Sequence, residues 1–556
     1  MAKHSTKKSA QLLSKALQKA GIKDIIISPG SRNAPLIIEF TSAEYFNNYS
    51  IIDERVAGFF ALGMAQQKQQ PVVLVCTSGS ALLNYYPAVA EAFYSHIPLI
   101  VVSADRPQKW VDQGEGQTIR QHNVFKNHSW LNATLSESDS ENNFNQIKNA
   151  IETAIEKRGP VHLNIPFDEP LYERVDTEEA EIGMIQTEFP AKIYEVNDLM
   201  PFEKQWQSAR KKMILVGQHP VSEFLQLQLE KMSEDPSVIV LHENIANVSH
   251  ERFIGNIDQA IFSLEDSILS SLKPDILMTI GRNIVSKKVK QFLRKYPPKA
   301  HWHIEQTDLP PNTFEVLSQH FETTPEMFLS QFLFLVQPIL KADYQQKWLE
   351  IKRKHQHLHQ KFLKQTGFSD LKAFELISQN IPESYMVQWG NSSTIRYAQL
   401  FNYKASITHF SNRGTSGIDG STSTAIGAAT VAKKPTVLVT GDISFLYDRN
   451  GLWHKYLSPD FKIILINNGG GDIFNFIPGP SQTEALNDFF VTKHQFEAED
   501  LAKMHHLTYQ KIDNLQDLKR LIKPFLENKG TPALLELKTQ TVDNAGILKA
   551  YFESLK

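Results

Sequence analysis

Short, nearly unbroken apolar runs alternate along this chain with longer stretches of helical periodicity, and that alternation constrains its fold more than any other feature. In the first third the runs are DIIIS from Asp24, YSIID from Tyr49, PVVLVCT from Pro71, PLIVVSA from Pro98 and PVHLNIP from Pro160. Helix-like stretches such as ERVAGFFALGMAQQ and ALLNYYPAVAEAFYS separate them. Strands apolar on both faces must be covered on both, which calls for a parallel sheet between helices. The pattern recurs in KKMILVGQ from Lys211, SVIVLHE from Ser237, PDILMTIGR from Pro274 and AHWHIEQ from Ala300. It returns once more in YMVQW from Tyr385, PTVLVTGD from Pro435, FKIILINN from Phe461 and PALLELK from Pro532. The expected architecture is α/β, with three doubly wound parallel-sheet domains in series over 1–180, 195–340 and 365–556. The acidic segment YERVDTEEAEIGM reads as a linker. The stretch ADYQQKWLEIKRKHQHLHQKFLKQ reads as a polar helix with its histidines on a charged, solvated face.

At 556 residues the chain exceeds what one core serves, and 41% hydrophobic against 21% charged residues marks a folded protein. A net charge of −3 gives no global field for nucleic acid or an anionic membrane, so any anion site must be built locally. The one cysteine, Cys76, excludes an intrachain disulfide and a Cys-rich metal site. The first residues lack a signal peptide's apolar core, and no apolar run is long enough to span a bilayer. A cytoplasmic protein is expected, with no nucleic-acid partner and no membrane span.

The sharpest local signal is TGDISFLYDRNGLW followed by INNGGGDIF. Each half begins where an apolar strand ends, the place where α/β sheets hold ligands. Gly441 to Asn468 is 28 residues counted inclusively, room for a strand end, a helix and the next strand. Asp442 offers a carboxylate, Asn468 an amide oxygen and Gly470 an accessible backbone carbonyl. Such oxygen ligands with vacant positions suit Mg²⁺ shared with phosphate oxygens. Ser444 is placed to donate to a diphosphate near the following helix N-terminus. Either half alone reads sooner as a turn or a loop; together, at this separation and each after a strand, they resemble the thiamine-diphosphate motif, Gly-Asp followed by Asn-Asn at the far end.

In SIIDERVAGFFALGMAQ a strand ends at Asp53 and a helix begins near Glu54. Acidic residues there commonly do no more than favour the positive end of a helix. Alongside the Gly441–Asn468 motif, Glu54 takes on a second meaning. An acid beside an aminopyrimidine ring promotes its imino tautomer and so the proton loss that thiamine chemistry requires.

Several segments set cations beside small polar residues: SPGSRNAPL (Ser31, Arg32), SADRP (Arg106), GQTIRQ (Gln117), VSKKV (Lys287), GNSSTIR (Ser392, Arg396) and SNRGTSGIDG (Arg413). Arginine grips a carboxylate through two parallel hydrogen bonds and keeps its charge. Singly, each is more often a salt-bridging surface residue. Their setting at strand ends, beside Gly, Ser and Pro, points to a small, multiply anionic substrate.

Taken in order, SPGSRNAPL, DERVAGFFALGMA, CTSGSALLNYYPAVAEA, SADRP, SNRGTSGIDG and GDISFLYD resemble one family of the thiamine-diphosphate superfamily. It is the 2-succinyl-5-enolpyruvyl-6-hydroxy-3-cyclohexene-1-carboxylate synthases of menaquinone biosynthesis. The likeness is dense in the flanking units and thin in the middle one. Ile443 stands where many superfamily members have Gly, as in this branch, and Gly116 stands where an amide side chain is expected.

The resemblance implies an aminopyrimidine-binding first domain, a diphosphate- and Mg²⁺-binding third domain, and Mn²⁺ as a substitute metal. It implies decarboxylation of 2-oxoglutarate on thiamine diphosphate and addition of the four-carbon remainder to isochorismate. Glu54 would be the catalytic acid, with Ser416, Gly417, Ile418, Gly441, Asp442, Ser444 and Asn468 around the cofactor; Ile418 would wedge it into a bent form. Asp442, Asn468 and Gly470 would hold the metal. Ser392 and Arg396 would hold the 2-oxoglutarate part, and Ser31, Arg32, Arg106, Gln117 and Lys287, with Lys288 as its rival, would face isochorismate. Arg413 would lie where the two join, and Ile473 and Phe474 would line the apolar side. A homodimer with shared active sites, or a homotetramer, is expected. The alternatives are another thiamine-diphosphate 2-oxo-acid decarboxylase or an acetohydroxyacid-synthase-like enzyme, and a scaffold without chemistry. The scaffold should have lost Glu54, Asp442 or Asn468, and all three are present.

Overall fold

The computed structural model describes residues 3–136, 139–176, 182–477 and 479–556. Its secondary structure is organised by three six-stranded sheets, and every pairing described within them is parallel.

The first sheet holds β1 (Asp24–Ile27), β2 (Asn47–Ser50), β3 (Val72–Cys76), β4 (Leu99–Asp105), β5 (Leu131–Thr134) and β6 (Val161–Pro166), in the spatial order β2-β1-β3-β4-β6-β5. The second holds β7 (Lys212–Val216), β8 (Val238–His242), β9 (Phe253–Ile254), β10 (Ile276–Ile280), β11 (Ala300–Ile304) and β12 (Leu317–Phe321), ordered β9-β8-β7-β10-β11-β12. The third holds β13 (Met386–Trp389), β14 (Thr408–Phe410), β15 (Thr436–Gly441), β16 (Phe461–Asn467), β17 (Thr508–Ile512) and β18 (Ala533–Lys538), ordered β14-β13-β15-β16-β18-β17. The first and third sheets thus share one winding, with the strand order reversing between β1 and β3 and again between β13 and β15. Such switch points open a crevice at the strands' carboxyl ends.

All but one of the expected apolar runs form central strands, with residues such as Val72–Cys76 buried throughout; YSIID instead supplies Tyr49 and Ser50 of β2, a half-exposed edge strand. The strands absent from the sequence reading lie at or beside sheet edges: β5, β9, β12, β14 and β17. Several are half-exposed and mix polar with apolar residues, as in LSQHF and TYQKI, so no continuous apolar run announces them.

Three local expectations are corrected. β2 stops at Ser50, not at Asp53, because its partner β1 ends at Ile27. Asp53 instead caps the helix Glu54–Lys68, accepting from the amides of Arg55 and Val56 at 3.0 and 3.2 Å. ALLNYYPAVAEAFYS forms two helices, Ser80–Asn84 and Tyr86–Ser95, with Pro87 in the first turn of the second. The helix Tyr344–Gln365 is present, but its histidines are not all solvated. His355 is 2% exposed, and the His359 ring meets Tyr551 Oη at 2.8 Å. Of the acidic linker, Arg174–Val175 pairs with His4–Ser5, and 177–181 lies outside the described residues.

By compactness the chain forms two units: Met1–Phe189 with Asn412–Lys434 and Ser444–Phe461, and Pro190–Ser411 with Pro435–Ile443 and Lys462–Lys556. In the first unit the helix Ser421–Ala432 lies backbone to backbone on Glu54–Lys68. A Cβ on Gly63 would fall 2.0 Å from the Thr424 carbonyl oxygen, and one on Gly427 2.0 Å from that of Phe60. Only glycine permits this approach, which anchors the helix that begins at Glu54. Among the described residues no helix is long and apolar enough to cross a membrane.

Candidate active site

In the second unit the switch point of the third sheet carries the Gly-Asp motif. β15 ends at Gly441, and Asp442, 2% exposed, starts the next turn of helix. Asp442 Oδ1 accepts from the Ile443 amide at 2.7 Å, while Oδ2 accepts from the amides of Gly469 and Gly470 at 2.8 and 3.0 Å. These bonds bring the two motif halves together at adjacent strand ends. The glycines are demanded by the backbone: Gly469 has φ 82° and Gly470 φ 152°, and a Cβ on Gly470 would sit 2.5 Å from the Val491 carbonyl oxygen. His494 Nε2 lies 3.2 Å from Asp442 Oδ2, and its backbone amide donates to the Gly469 carbonyl at 3.1 Å.

Asn468 donates from Nδ2 to Asp370 Oδ2 at 2.9 Å. Burial pushes the Asp370 carboxyl up to about 7, against hydrogen bonds from Thr539 and Asn468 that favour its charged form. The nearby charges of Asp472 and Asp442 push it the same way as burial. A carboxylate, an amide side chain and glycine backbone at one pair of strand ends form the hard-oxygen set that Mg²⁺ takes. The residues therefore fit a metal-bound diphosphate.

Beside this motif lies a cavity of about 1490 Å³ whose walls include Lys287, Lys288, Arg396, Asn468, Lys493 and His494. Lys287, Arg396 and Asn468, singled out in three distant segments, thus share one cleft. Arg396 Nη1 donates to the Ser392 carbonyl at 2.6 Å, and Ser392 adopts φ 70° before the helix Ser393–Ala398. Lys287 is the exposed first residue of the helix Lys287–Lys295, whereas Lys288 Nζ stands 4.2 Å over the Phe262 ring. Ile473 is buried, and the Phe474 ring packs 5.5 Å from Phe490.

In the first unit a second set gathers at the carboxyl ends of β1, β3 and β4. Gly30 lies so close to Thr77 that a Cβ would meet its side chain at 2.4 Å. Ser31 is exposed, whereas Arg32 is buried, donating to the Phe167 carbonyl at 3.0 Å and pairing with Glu169 at 3.2 Å. Arg106 Nε donates to the Gly116 carbonyl at 3.1 Å, and the exposed Gln117 passes its backbone 3.2 Å from the Cβ position of Gly79. Glu54 is half-buried at the first turn of its helix.

The loop through Arg413, Ser416, Gly417 and Ile418 belongs to the same unit. Ser416 adopts φ 61° and donates to the Arg413 carbonyl at 3.3 Å. The Ile418 carbonyl accepts from Ser444 Oγ at 2.6 Å, so that hydroxyl's proton serves the loop in this structure. Glu91, 1% exposed, holds the loop from below, accepting from the amides of Gly414 and Thr415 at 2.7 Å each. Glu91, Asp370 and His494 escaped the sequence reading. Each sits in an ordinary helical or loop context, and its partner is distant in the chain.

The description "Thiamine pyrophosphate enzyme, N-terminal TPP binding domain" matches residues 7–125, and its C-terminal counterpart matches 390–537. The chain is 48% identical over 546 residues to a 2-succinyl-5-enolpyruvyl-6-hydroxy-3-cyclohexene-1-carboxylate synthase of Flavobacterium psychrophilum, covering 98% of each chain. It is 48% identical to the protein of that name from Flavobacterium johnsoniae, again covering 98% of each. With the Porphyromonas gingivalis protein it shares 37% over 99% of this chain and 97% of the other.

Proposed function

Because the chain belongs to the 2-succinyl-5-enolpyruvyl-6-hydroxy-3-cyclohexene-1-carboxylate synthases, thiamine-diphosphate enzymes of menaquinone biosynthesis, we propose that it joins the decarboxylated remnant of 2-oxoglutarate to isochorismate. The observation that carries this reading is the Asp442 carboxylate, bonded to the Gly469 and Gly470 amides at the third sheet's switch point, in a chain aligned end to end with such synthases. The division into 1–180, 195–340 and 365–556 belongs to the same reading, supported by three separate six-stranded sheets.

Asp442, the Asn468 amide oxygen and the Gly470 carbonyl would hold Mg²⁺ or Mn²⁺ against the diphosphate, with Gly441, Ser416, Gly417 and Ser444 shaping the cradle. Ile418 would set the cofactor's bend, and the bond from Ser444 to its carbonyl supports that role. Thiamine diphosphate, when bound, supplies the nucleophilic carbon and the electron sink for loss of CO₂. Glu54 would set its carboxyl beside the aminopyrimidine ring and favour the imino tautomer there. Arg396 and Ser392 would bind the 2-oxoglutarate carboxylate. Ser31, Arg32, Arg106, Gln117 and Lys287 would bind isochorismate, Arg413 would orient one substrate toward the other, and Ile473 and Phe474 would exclude water. Lys287 rather than Lys288 is preferred, because Lys288 stands over the Phe262 ring. The assembly is proposed as a homodimer or homotetramer in which each site draws Glu54 from one chain and Asp442 from another.

The deciding experiment incubates the protein with thiamine diphosphate, MgCl₂, 2-oxoglutarate and isochorismate and identifies products by mass. One adduct formed per CO₂ released is expected. CO₂ without an adduct would favour a simple 2-oxo-acid decarboxylase.

A further inference from the structure

Asp370 belongs to none of the ligand sets above, yet it is 1% exposed and 2.9 Å from one of them. Its Oδ1 accepts from Thr539 Oγ1 at 2.6 Å, its Oδ2 from Asn468 Nδ2, and its own amide donates to Asn544 Oδ1 at 2.8 Å. These partners are neutral, and the neighbouring charges of Asp442 and Asp472 are negative. Burying a carboxylate in such company is costly and calls for a reason. Capping is not that reason, because Ser369 caps the helix Asp370–Asn380 by accepting from the Lys372 amide at 3.2 Å.

What only the acid provides is a choice between the two ends of Asn468. A side-chain amide has an oxygen that accepts and an NH₂ of similar size that donates, and a cation is served by the oxygen alone. The Asp370 oxygen that faces Asn468 accepts from its NH₂ end, and the other accepts from the Thr539 hydroxyl, which leaves the Asn468 oxygen for the opposite side. Thr539, whose backbone amide donates to the Asn467 carbonyl at 2.9 Å, fixes the carboxylate in turn.

We propose that Asp370 is a positioning residue for the metal site: it holds the Asn468 amide by its NH₂ end, so that Oδ1 is presented to the cation that carries the diphosphate. This rests on the proposed Asp442–Asn468–Gly470 ligand set.

The test compares wild type, Asp370→Ala, Asp370→Asn, Thr539→Val and Asn468→Ala. The first readout is the MgCl₂ concentration that half-saturates thiamine diphosphate binding, followed by calorimetry; the second is the thermal midpoint without cofactor or metal. Both Asp370 variants should need about 10–100-fold more MgCl₂, the usual cost of losing a group that orients a metal ligand. Thr539→Val should need an intermediate amount, and the cofactor-free midpoints should stay near that of wild type. A raised requirement in Asn468→Ala with wild-type behaviour in both Asp370 variants would overturn the proposal and leave the ligand set standing. A lowered cofactor-free midpoint with an unchanged MgCl₂ requirement would also overturn it, assigning Asp370 a purely structural role. An unchanged requirement in Asn468→Ala would remove the ligand set itself, and the proposal with it.

Discussion

Glu91 and Thr415 stand 324 positions apart and meet through two hydrogen bonds, from the Thr415 amide at 2.7 Å and from its Oγ1 at 2.8 Å, both to Glu91 Oε2. The other oxygen accepts from the Gly414 amide and from Ser95 Oγ, each at 2.7 Å. One buried carboxylate thus fixes the backbone of the loop that displays Arg413 and Ile418. Glu91→Gln would turn an NH₂ group toward a backbone N–H, leaving donors unsatisfied at a cost of about 1–3 kcal/mol each. The expected outcome is a lowered thermal midpoint and a roughly tenfold or greater fall in kcat/KM. Unchanged kinetics in a destabilised variant would show that the loop holds its position without Glu91.

Thiamine diphosphate with MgCl₂ should raise the thermal midpoint, since a ligand that binds only the folded state stabilises it. The gain is about 2.7 kcal/mol at a hundredfold excess over Kd. Asp442→Ala should abolish the shift. Differential scanning fluorimetry reads both, and an equal shift in the variant would rule Asp442 out as a ligand.

Arg396→Ala should raise KM for 2-oxoglutarate much more than KM for isochorismate. Loss of a charge-assisted carboxylate bond costs on the order of 1.5–3 kcal/mol, roughly tenfold or more in KM. Arg32→Ala should show the opposite preference. It should also lower the thermal midpoint, because Arg32 is buried against the Phe167 carbonyl and Glu169. Steady-state kinetics with each substrate varied separately decides this; equal effects on both substrates would dissolve the division of the pocket.

If sites are shared between chains, Glu54→Gln and Asp442→Ala, each nearly inactive alone, should complement one another. In a mixed dimer one site carries both lesions and the other carries neither. Random exchange of subunits should then restore about a quarter of full activity. Differently tagged chains verify the exchange, and exchange without recovery would show that each chain builds its own site.

Stability should fall as pH drops below about 6.5, the ordinary histidine value. Burial holds His162 and His409 at about 3, and His242, His301, His359 and His454 at about 4. With folded values depressed below unfolded ones, these rings contribute stability above pH 6.5 that is lost as pH falls toward 4 and 3. The carboxyls of Asp448 and Asp370, raised to about 6 and about 7, act in the opposite sense, as do those of Glu91, Asp105, Asp258 and Asp472, also raised by burial. They are outnumbered by these histidines together with His320 and His355, which burial lowers too. His409 Nδ1 accepts from Trp389 Nε1 at 3.1 Å, a bond that a glutamine oxygen can also take. His409→Gln should therefore reduce the acid-side steepness of the midpoint–pH curve; an unaltered curve would mean that His409 does not titrate in this range.

The central strands, the α/β class and the family were determined by local sequence. A strand buried on both faces must be apolar throughout, and the Gly-Asp and Asn-Asn-Gly segments mark strand ends within a few residues of themselves. The mixed-polarity edge strands carried no such mark, and the burial of His355 depended on what the rest of the fold laid against its helix. Tertiary structure alone decided that Glu91 grips Gly414 and Thr415, and that Lys287, Arg396 and Asn468 share one cleft. It alone put Asp370 between Asn468 and Thr539, 98 and 169 positions away. The reason is physical: a buried carboxylate is specified by the donors that satisfy it, and those donors come from strands and helices that only the folded sheets bring together.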